Sequence, residues 1–318
     1  MSQNVLVMGG SYFIGKKIVD ILVQNNYNVT VLNRGTHTVE NTTQIICNRD
    51  NILEMSNALQ NKSFDYVIDV SGVNKNQMQI LCSCLNTNNI KKFVFISSSA
   101  VYNIDNLTIP FKESDSIATN NYWFEYGTNK IEAESYLSEF FADKPTQLIM
   151  LRPPYMYGEN NYAQRESFIF NRILNNLPVI LPNSNPKLQF LYTTDLANII
   201  ISLLDKETQK LAIYNVGNKQ AVTSREWVEY CASILNKKPE IVMYDYKKDN
   251  YYIRDFFPFP DYDNVLDVSN INTSIIFNET SFIDGLKESY KWYVKNKDNI
   301  CFKPHVEKNC EKIFNSLK

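Results

Sequence analysis

Short apolar runs alternate with amphipathic stretches through the first half of the chain, and that alternation predicts the fold. Val5-Leu-Val-Met8 leads into Gly9-Gly10, and Phe13, Ile14, Ile18, Ile21 and Leu22 then recur at helical spacing, which reads as strand, glycine turn, helix. Residues 28–32, 43–47, 66–70 and 93–96 read as further strands, with helical patterns at 77–85 and 126–141 and another buried strand at 147–151. Strands that are apolar along their whole length and separated by helices build a parallel sheet covered on both faces. The expected fold class is therefore α/β, with a doubly wound parallel sheet.

Past residue 160 the pattern loosens into short elements rich in Pro, Asn and Tyr, which reads as a smaller C-terminal substrate lobe. Residues 190–192, a helix over 194–204 and a strand at 213–216 are expected to return to the main sheet. The expected domains are thus a doubly wound α/β domain at 1–165 plus about 187–217, and a lobe at 166–186 and 218–318.

Composition narrows the partners. The 318 residues are 44% hydrophobic and 21% charged, the balance of a globular chain with its own core. A formal charge of −2 supplies no field toward phosphate backbones or anionic lipid, so nucleic acid and membrane are not expected partners. Six cysteines without a CxxC pair and two histidines supply no zinc cage, so no metal is expected and the thiols read as reduced. The opening Met-Ser-Gln-Asn carries no positive charge and no apolar run reaches ~18 residues, so the expected location is cytoplasmic.

A dinucleotide site needs glycines after the first strand for a tight turn, for close backbone approach to pyrophosphate and for helix packing. Gly9-Gly10-Ser11-Tyr12-Phe13-Ile14-Gly15 keeps the first and last glycines, with Tyr12 in the middle position. At the end of the second strand, Asn33-Arg34 stands where an acid would bind a ribose 2′-hydroxyl. A guanidinium without a carboxylate suits a 2′-phosphate, which favours NADP over NAD.

Tyr126-Gly-Thr-Asn-Lys130 places a phenol and an ammonium on one helix face. A free tyrosine titrates near pH ~10, so a phenol base at neutrality needs a shift of about three units, which a nearby cation can supply. Phe95-Ile-Ser-Ser98-Ser-Ala-Val-Tyr102 offers hydroxyls at a strand end to orient a substrate oxygen. Glycine turn, serine-rich strand end and YxxxK follow one another in the slots where hydride-transfer chemistry needs them.

In that order the motifs resemble an extended or atypical short-chain dehydrogenase/reductase of the NAD-dependent epimerase/dehydratase family. Further segments carry the resemblance: Leu151-Arg-Pro-Pro-Tyr-Met-Tyr-Gly158 (RPxxxYG), Phe190-Leu-Tyr-Thr-Thr-Asp195-Leu-Ala, Tyr214-Asn-Val-Gly217, Leu266-Asp-Val-Ser269 and Gly285-Leu286. The resemblance implies Tyr126 as base, Lys130 as the group that lowers its pKa and holds the nicotinamide ribose, and Ser98 as the triad hydroxyl. It places Gly9, Ser11, Tyr12, Phe13, Ile14 and Gly15 around the pyrophosphate, and Asn33 and Arg34 at the adenosine ribose. Asn48 and Arg49 fall at the adenine end, and Asp69, Ser71, Gly72 and Pro153 on the nicotinamide side. The resemblance also implies that the domain at 1–165 plus about 187–217 is a Rossmann NAD(P)-binding domain, that the lobe at 166–186 and 218–318 binds substrate, and that the protein is a homodimer.

Three departures shape the functional expectation. The GGSYFIG turn and the Asn-Arg-Gly at 33–35 resemble atypical members, some of which bind RNA. Ser99-Ala100 stands where 4,6-dehydratases resemble one another in carrying Asp-Glu, so elimination of water lacks its proton-transfer groups. Tyr155 occupies the place of an Asn that contacts substrate phosphate in many sugar-nucleotide enzymes. Ser99, Tyr155, Arg165 and Arg254 are the candidate substrate residues, with Lys187 as surface charge, and the aromatic stretch at 251–259 reads either as a stacking surface or as lobe core. The expected function is an NAD(P)-dependent epimerase working by reversible hydride transfer at a secondary alcohol carbon of a sugar nucleotide. The alternatives are an NADPH-dependent carbonyl reductase and a non-catalytic RNA-binding or redox-sensing member.

Overall fold

A computed structural model describes residues 2–318. Seven parallel strands form the central sheet: β1 (Asn4–Met8), β2 (Asn28–Asn33), β3 (Thr43–Ile46), β4 (Tyr66–Asp69), β5 (Lys92–Ile96), β6 (Gln147–Arg152) and the strand Leu211–Asn215. Their spatial order starts from Leu211–Asn215 and runs β6, β5, β4, β1, β2, β3, with the direction of winding reversing beside β1. That reversal opens a crevice at the strands' carboxyl ends, where ligands of such sheets bind.

The helices α1 (Phe13–Gln24), α2 (Ile52–Leu59), α3 (Lys75–Cys84) and α4 (Phe124–Phe141) lie in the first half of the chain. Leu6, Val67, Phe93, Phe95, Leu148 and Met150 alternate along their strands and bury one face of the sheet under Met55, Met78, Leu81, Ala133 and Leu137 of α2, α3 and α4. The helix Thr193–Asp205 packs beside α1. Lys92 is 7% exposed, and its ammonium caps this helix by donating to the carbonyls of Leu203, Leu204 and Lys206.

α2 has no counterpart in the sequence reading. It is eight residues long and buries only Met55 and Leu59, with Ile52 and Leu53 exposed, so its apolar positions span too short a stretch to set a helical period apart; its start is fixed by Asn51, whose side chain accepts from the N–H groups of Leu53 and Glu54. Residues 190–192 form a strand outside the seven-stranded sheet, whereas Leu211–Asn215 pairs with β6.

The chain divides into two compact units. One holds the residues up to Met156, Thr193–Gly217 and Leu266–Glu279; the other holds Tyr157–Tyr192, Asn218–Val265 and Thr280–Lys318. These bounds differ from the sequence-drawn ones in two ways: residues 157–165 and 187–192 fall in the second unit, and Leu266–Glu279 returns to the first. Asp267 N–H donates to the Phe111 carbonyl and the Asn215 side chain donates to the Asp267 carbonyl, contacts too long-range to read from a pattern.

Within the second unit, Trp227 packs at 4.8 Å from Phe259 and at 6.0 Å from Phe190. Phe256, Phe257 and Phe259 are fully buried, so the phenylalanines of the 251–259 stretch are core, while Tyr252 is exposed. Glu166 is buried there as well, accepting from the Gly158 N–H and the Asn161 amide, and burial raises its pKa. No helix among the described residues is long and apolar enough to cross a membrane.

Candidate active site

The glycine turn is built for close approach. A Cβ on Gly15 would lie 2.0 Å from the Gly9 carbonyl oxygen, and one on Gly9 would lie 2.5 Å from Ser71 Cβ, with Gly9 itself at φ +89°. Phe13 also takes a left-handed φ of +44°, held there by its buried ring. Tyr12 occupies the N-cap of α1 without capping it through its side chain, and the positive end of the helix dipole faces the glycine turn. Tyr12 instead stacks on His37 at 5.3 Å, which fastens the loop after β2 against the turn.

At the end of β2, Asn33 is 8% exposed. Its Oδ1 accepts from the Gly35 N–H at 2.8 Å and from Gln44 at 3.0 Å, while its buried Nδ2 has no hydrogen-bond partner. Arg34 beside it is exposed, as are Asn48 and Ser71. A cradle that any Cβ would fill, a helix N-terminus behind it and an unspent amide donor at Asn33 together fit a dinucleotide.

The strand-end hydroxyls and the YxxxK helix are brought together by two residues that the sequence reading passed over. A Cβ on Gly127 would meet the Ala100 carbonyl at 2.6 Å, so α4 rests directly on the turn after Ser98. Asn120, ahead of the helix, donates from its side chain to the carbonyls of Ala100 and Tyr102 at 2.8 and 3.1 Å. Their signal was faint: a glycine inside a helical pattern marks close backbone approach, but it cannot name the partner. Ser98 Oγ accepts from the Ala100 N–H at 3.1 Å, which leaves its own proton to donate. Ser99 is buried and its N–H donates to the Pro153 carbonyl.

Two phenols lie near this turn, and burial separates their chemistry. Tyr102 is fully buried and donates to Asn215 at 2.6 Å, and burial pushes its pKa up to about 12. Tyr126 is 39% exposed and reachable by a substrate. Lys130, one turn on, is 3% exposed and donates to the Gly72 and Ile96 carbonyls, both at 2.7 Å, with the Phe95 ring 4.6 Å away. Burial lowers its pKa to about 8, while Asp69 and Glu134 favour its charge and Arg49 opposes it.

Glu134, one further turn along α4, takes the Arg152 guanidinium through both oxygens at 3.0 and 2.6 Å, and Arg152 also donates to the Tyr102 hydroxyl. Arg49 turns both terminal nitrogens onto Asp69 at 2.9 and 2.8 Å and reaches Ser71 Oγ at 2.6 Å. Of the candidate substrate residues, Ser99 and Tyr155 are buried in the first unit. Arg165 lies in the second, with its guanidinium 5.2 Å from the Phe259 ring, and Arg254 is exposed in the same unit.

Comparison with known proteins bears on the family and the fold. The chloroplast stem-loop binding protein of 41 kDa b of Arabidopsis thaliana is 26% identical over 307 residues, covering 91% of this chain and 78% of that protein. A putative UDP-glucose 4-epimerase of Methanocaldococcus jannaschii is 24% identical, covering 92% and 99%. Among solved structures, UDP-glucose 4-epimerase of Thermotoga maritima with UDP-glucose superposes with a TM-score of 0.78 at 20% identity, covering 92% of this chain and 99% of that one. Thermus thermophilus UDP-glucose 4-epimerase, complexed with NAD, gives 0.75 at 19% identity, covering 92% and 99%. The NAD dependent epimerase/dehydratase family matches residues 5–217, more than half of the chain. The chain therefore belongs to the NAD dependent epimerase/dehydratase family and is an enzyme of the extended short-chain dehydrogenase/reductase type.

Proposed function

We propose that the chain epimerises a sugar nucleotide at a secondary alcohol carbon, with Tyr126, Lys130 and Ser98 as its catalytic residues. The observation that carries this reading is the seating of α4 on the Ser98 turn through Gly127 and Asn120, with the Lys130 ammonium tied to the carbonyls behind it. A bound nicotinamide supplies the hydride acceptor and donor. Tyr126 takes the hydroxyl proton as the alcohol carbon becomes a ketone and returns it to the same oxygen once the ketone has turned its other face to the hydride; Lys130 favours the phenolate and Ser98 donates to the substrate oxygen, together a contribution of about 10²–10⁴ in rate. Ser99-Ala100 offers no acid or base for removing water, which supports epimerisation over dehydration.

The glycine turn fits the pyrophosphate, and Gly9, Ser11, Tyr12, Phe13, Ile14 and Gly15 surround it in this reading. Asn33 and Arg34 support NADP over NAD: a buried amide donor and an exposed guanidinium meet a 2′-phosphate without repulsion. Asn48 is assigned toward the adenine, and Ser71, Gly72, Lys130 and Pro153 toward the nicotinamide; Arg49, expected from the sequence at the adenine end, turns its guanidinium onto Asp69 and Ser71 instead. Ser99, Tyr155, Arg165 and Arg254 are the proposed substrate contacts.

The test has two parts. Denaturing the purified protein should release a dinucleotide identifiable by mass, and NMR should follow interconversion of UDP-glucose and UDP-galactose, or of their N-acetyl counterparts. Tyr126→Phe should lose at least 10²-fold in turnover while retaining the dinucleotide; unchanged turnover refutes the assignment. Steady NADPH consumption with a keto-sugar nucleotide would support net reduction instead. The stem-loop binding relative motivates an RNA reading, against which stand the −2 charge and the scattered lysine pairs. A salt-dependent shift of a stem-loop RNA at physiological ionic strength would establish it.

A further inference from the structure

Asp69 sits at the carboxyl end of β4, in register between Met8 of β1 and Phe95 of β5, and is wholly buried. Its carboxylate gathers four bonds: two from Arg49, one from the Ser71 N–H at 3.1 Å and one from the Gly72 N–H at 2.8 Å. The backbone thus wraps around Asp69, and Gly72 has to be glycine because a Cβ there would lie 2.7 Å from Asp69 Oδ2 and 2.3 Å from Met78 Cε. The carbonyl that leaves this wrapped turn is Gly72 O, one of the two that hold the Lys130 ammonium.

Stability alone does not account for the pair. Replacing a buried ion pair by apolar side chains of similar volume is often neutral or favourable. This pair also leaves Arg49 Nε buried without a hydrogen-bond partner. Its placement accounts for it better: the charged groups facing Lys130 are Asp69 from β4, Arg49 from the loop after β3 and Glu134 from α4 itself.

We propose that Arg49 and Asp69 are positioning residues for Lys130: by fixing the Ser71-Gly72 turn they set where its ammonium sits, and their paired charges balance the field it experiences. The proposal rests on the catalytic reading of Lys130 only for its consequence; the arrangement itself is tested without substrate or cofactor. Asp69→Asn keeps an oxygen for the Gly72 and Ser71 N–H groups but removes the counter-charge of Arg49, so Lys130 then faces an unbalanced guanidinium.

The experiment is a pH titration of ε-¹³C-labelled lysines by NMR in the full chain, with the Lys130 signal assigned by its loss in Lys130→Met. Asp69→Asn should move the Lys130 midpoint down by one unit or more, and Arg49→Met/Asp69→Asn, which carries no stranded charge, should move it back toward the wild-type value. Asp69→Glu, which restores charge on a longer arm, should recover the midpoint only in part. An unchanged midpoint in folded Asp69→Asn would reduce the pair to a brace and overturn the proposal. So would failure of both charge-removing variants to fold, which would make the pair a stability element. Failure of the epimerase reading would show in turnover and leave these titrations as they are.

Discussion

Gly15→Ala is the sharpest perturbation of the proposed dinucleotide cradle. Alanine in a helix interior ordinarily gains about 1 kcal/mol over glycine, so propensity alone predicts stabilisation of α1. Here the new Cβ would lie 2.0 Å from the Gly9 oxygen and 3.0 Å from Gly10 Cα. Both neighbours are backbone, so no rotamer change relieves the clash, and the helix start must draw away from the turn by about 1 Å before the contact stops being repulsive. Overpacking costs about 1–3 kcal/mol, and the rigid surroundings put this case at the upper end. The net loss is about 2 kcal/mol, or roughly 4–8 °C in melting temperature for a unit of about 200 residues. The same 1 Å separates the helix N–H groups from the Gly9 end of the turn, so at least one charge-assisted hydrogen bond to phosphate is lost. At about 1.5–3 kcal/mol, that bond corresponds to a roughly ten- to hundredfold weaker dinucleotide. Thermal unfolding followed by circular dichroism and titration with NADPH fluorescence measure the two effects separately. A variant that melts at or above the wild-type temperature and binds NADPH equally well would refute the cradle.

Gly127→Ala places a Cβ 2.6 Å from the Ala100 carbonyl, so α4 must back away from the Ser98 turn by a few tenths of an ångström. The propensity gain of about 1 kcal/mol roughly offsets the strain, so melting should hardly change while turnover falls several-fold; equal turnover would break the proposed link. Glu134→Gln strands the buried Arg152 guanidinium and should cost about 3–5 kcal/mol in denaturant unfolding, with a loss under about 1 kcal/mol counting against the pair. Lys130 has a folded pKa of about 8 against 10.5 unfolded, so between those values the unfolded state binds more protons and stability rises with pH. Lys130→Met should remove that rise, about 3 kcal/mol in full, when wild type and variant are compared at each pH; parallel curves would show that the ammonium is not buried.

What the sequence discloses and what it withholds divide along the range of the interactions. The glycine turn, the strand-end serines and YxxxK are local patterns, each legible because its chemistry is written within seven or eight consecutive residues that a strand or a helix then presents. The pairs that hold those motifs together are not local. Arg49 and Asp69 lie 20 residues apart, Glu134 and Arg152 lie 18 apart, and Asn120 reaches back 20 residues to Ala100. Nothing in the spacing of Arg49 marks it as the partner of Asp69 rather than of a ligand, because an arginine after a strand suits either. The partner follows only from the register that sets Asp69 between Met8 and Phe95 at the sheet's carboxyl edge. The same distinction explains Asn33, whose replacement of an acid is visible in the sequence. Its use is visible only once Gly35 and Gln44 occupy the oxygen and leave the amide nitrogen buried and unspent. The proposed site is therefore two layers with different sources: the proposed reacting groups, fixed by short motifs, and a buried ionic frame fixed by strand order. A substitution in the frame should alter the ionisation and placement of Lys130 without changing any residue of the motifs that announce the chemistry.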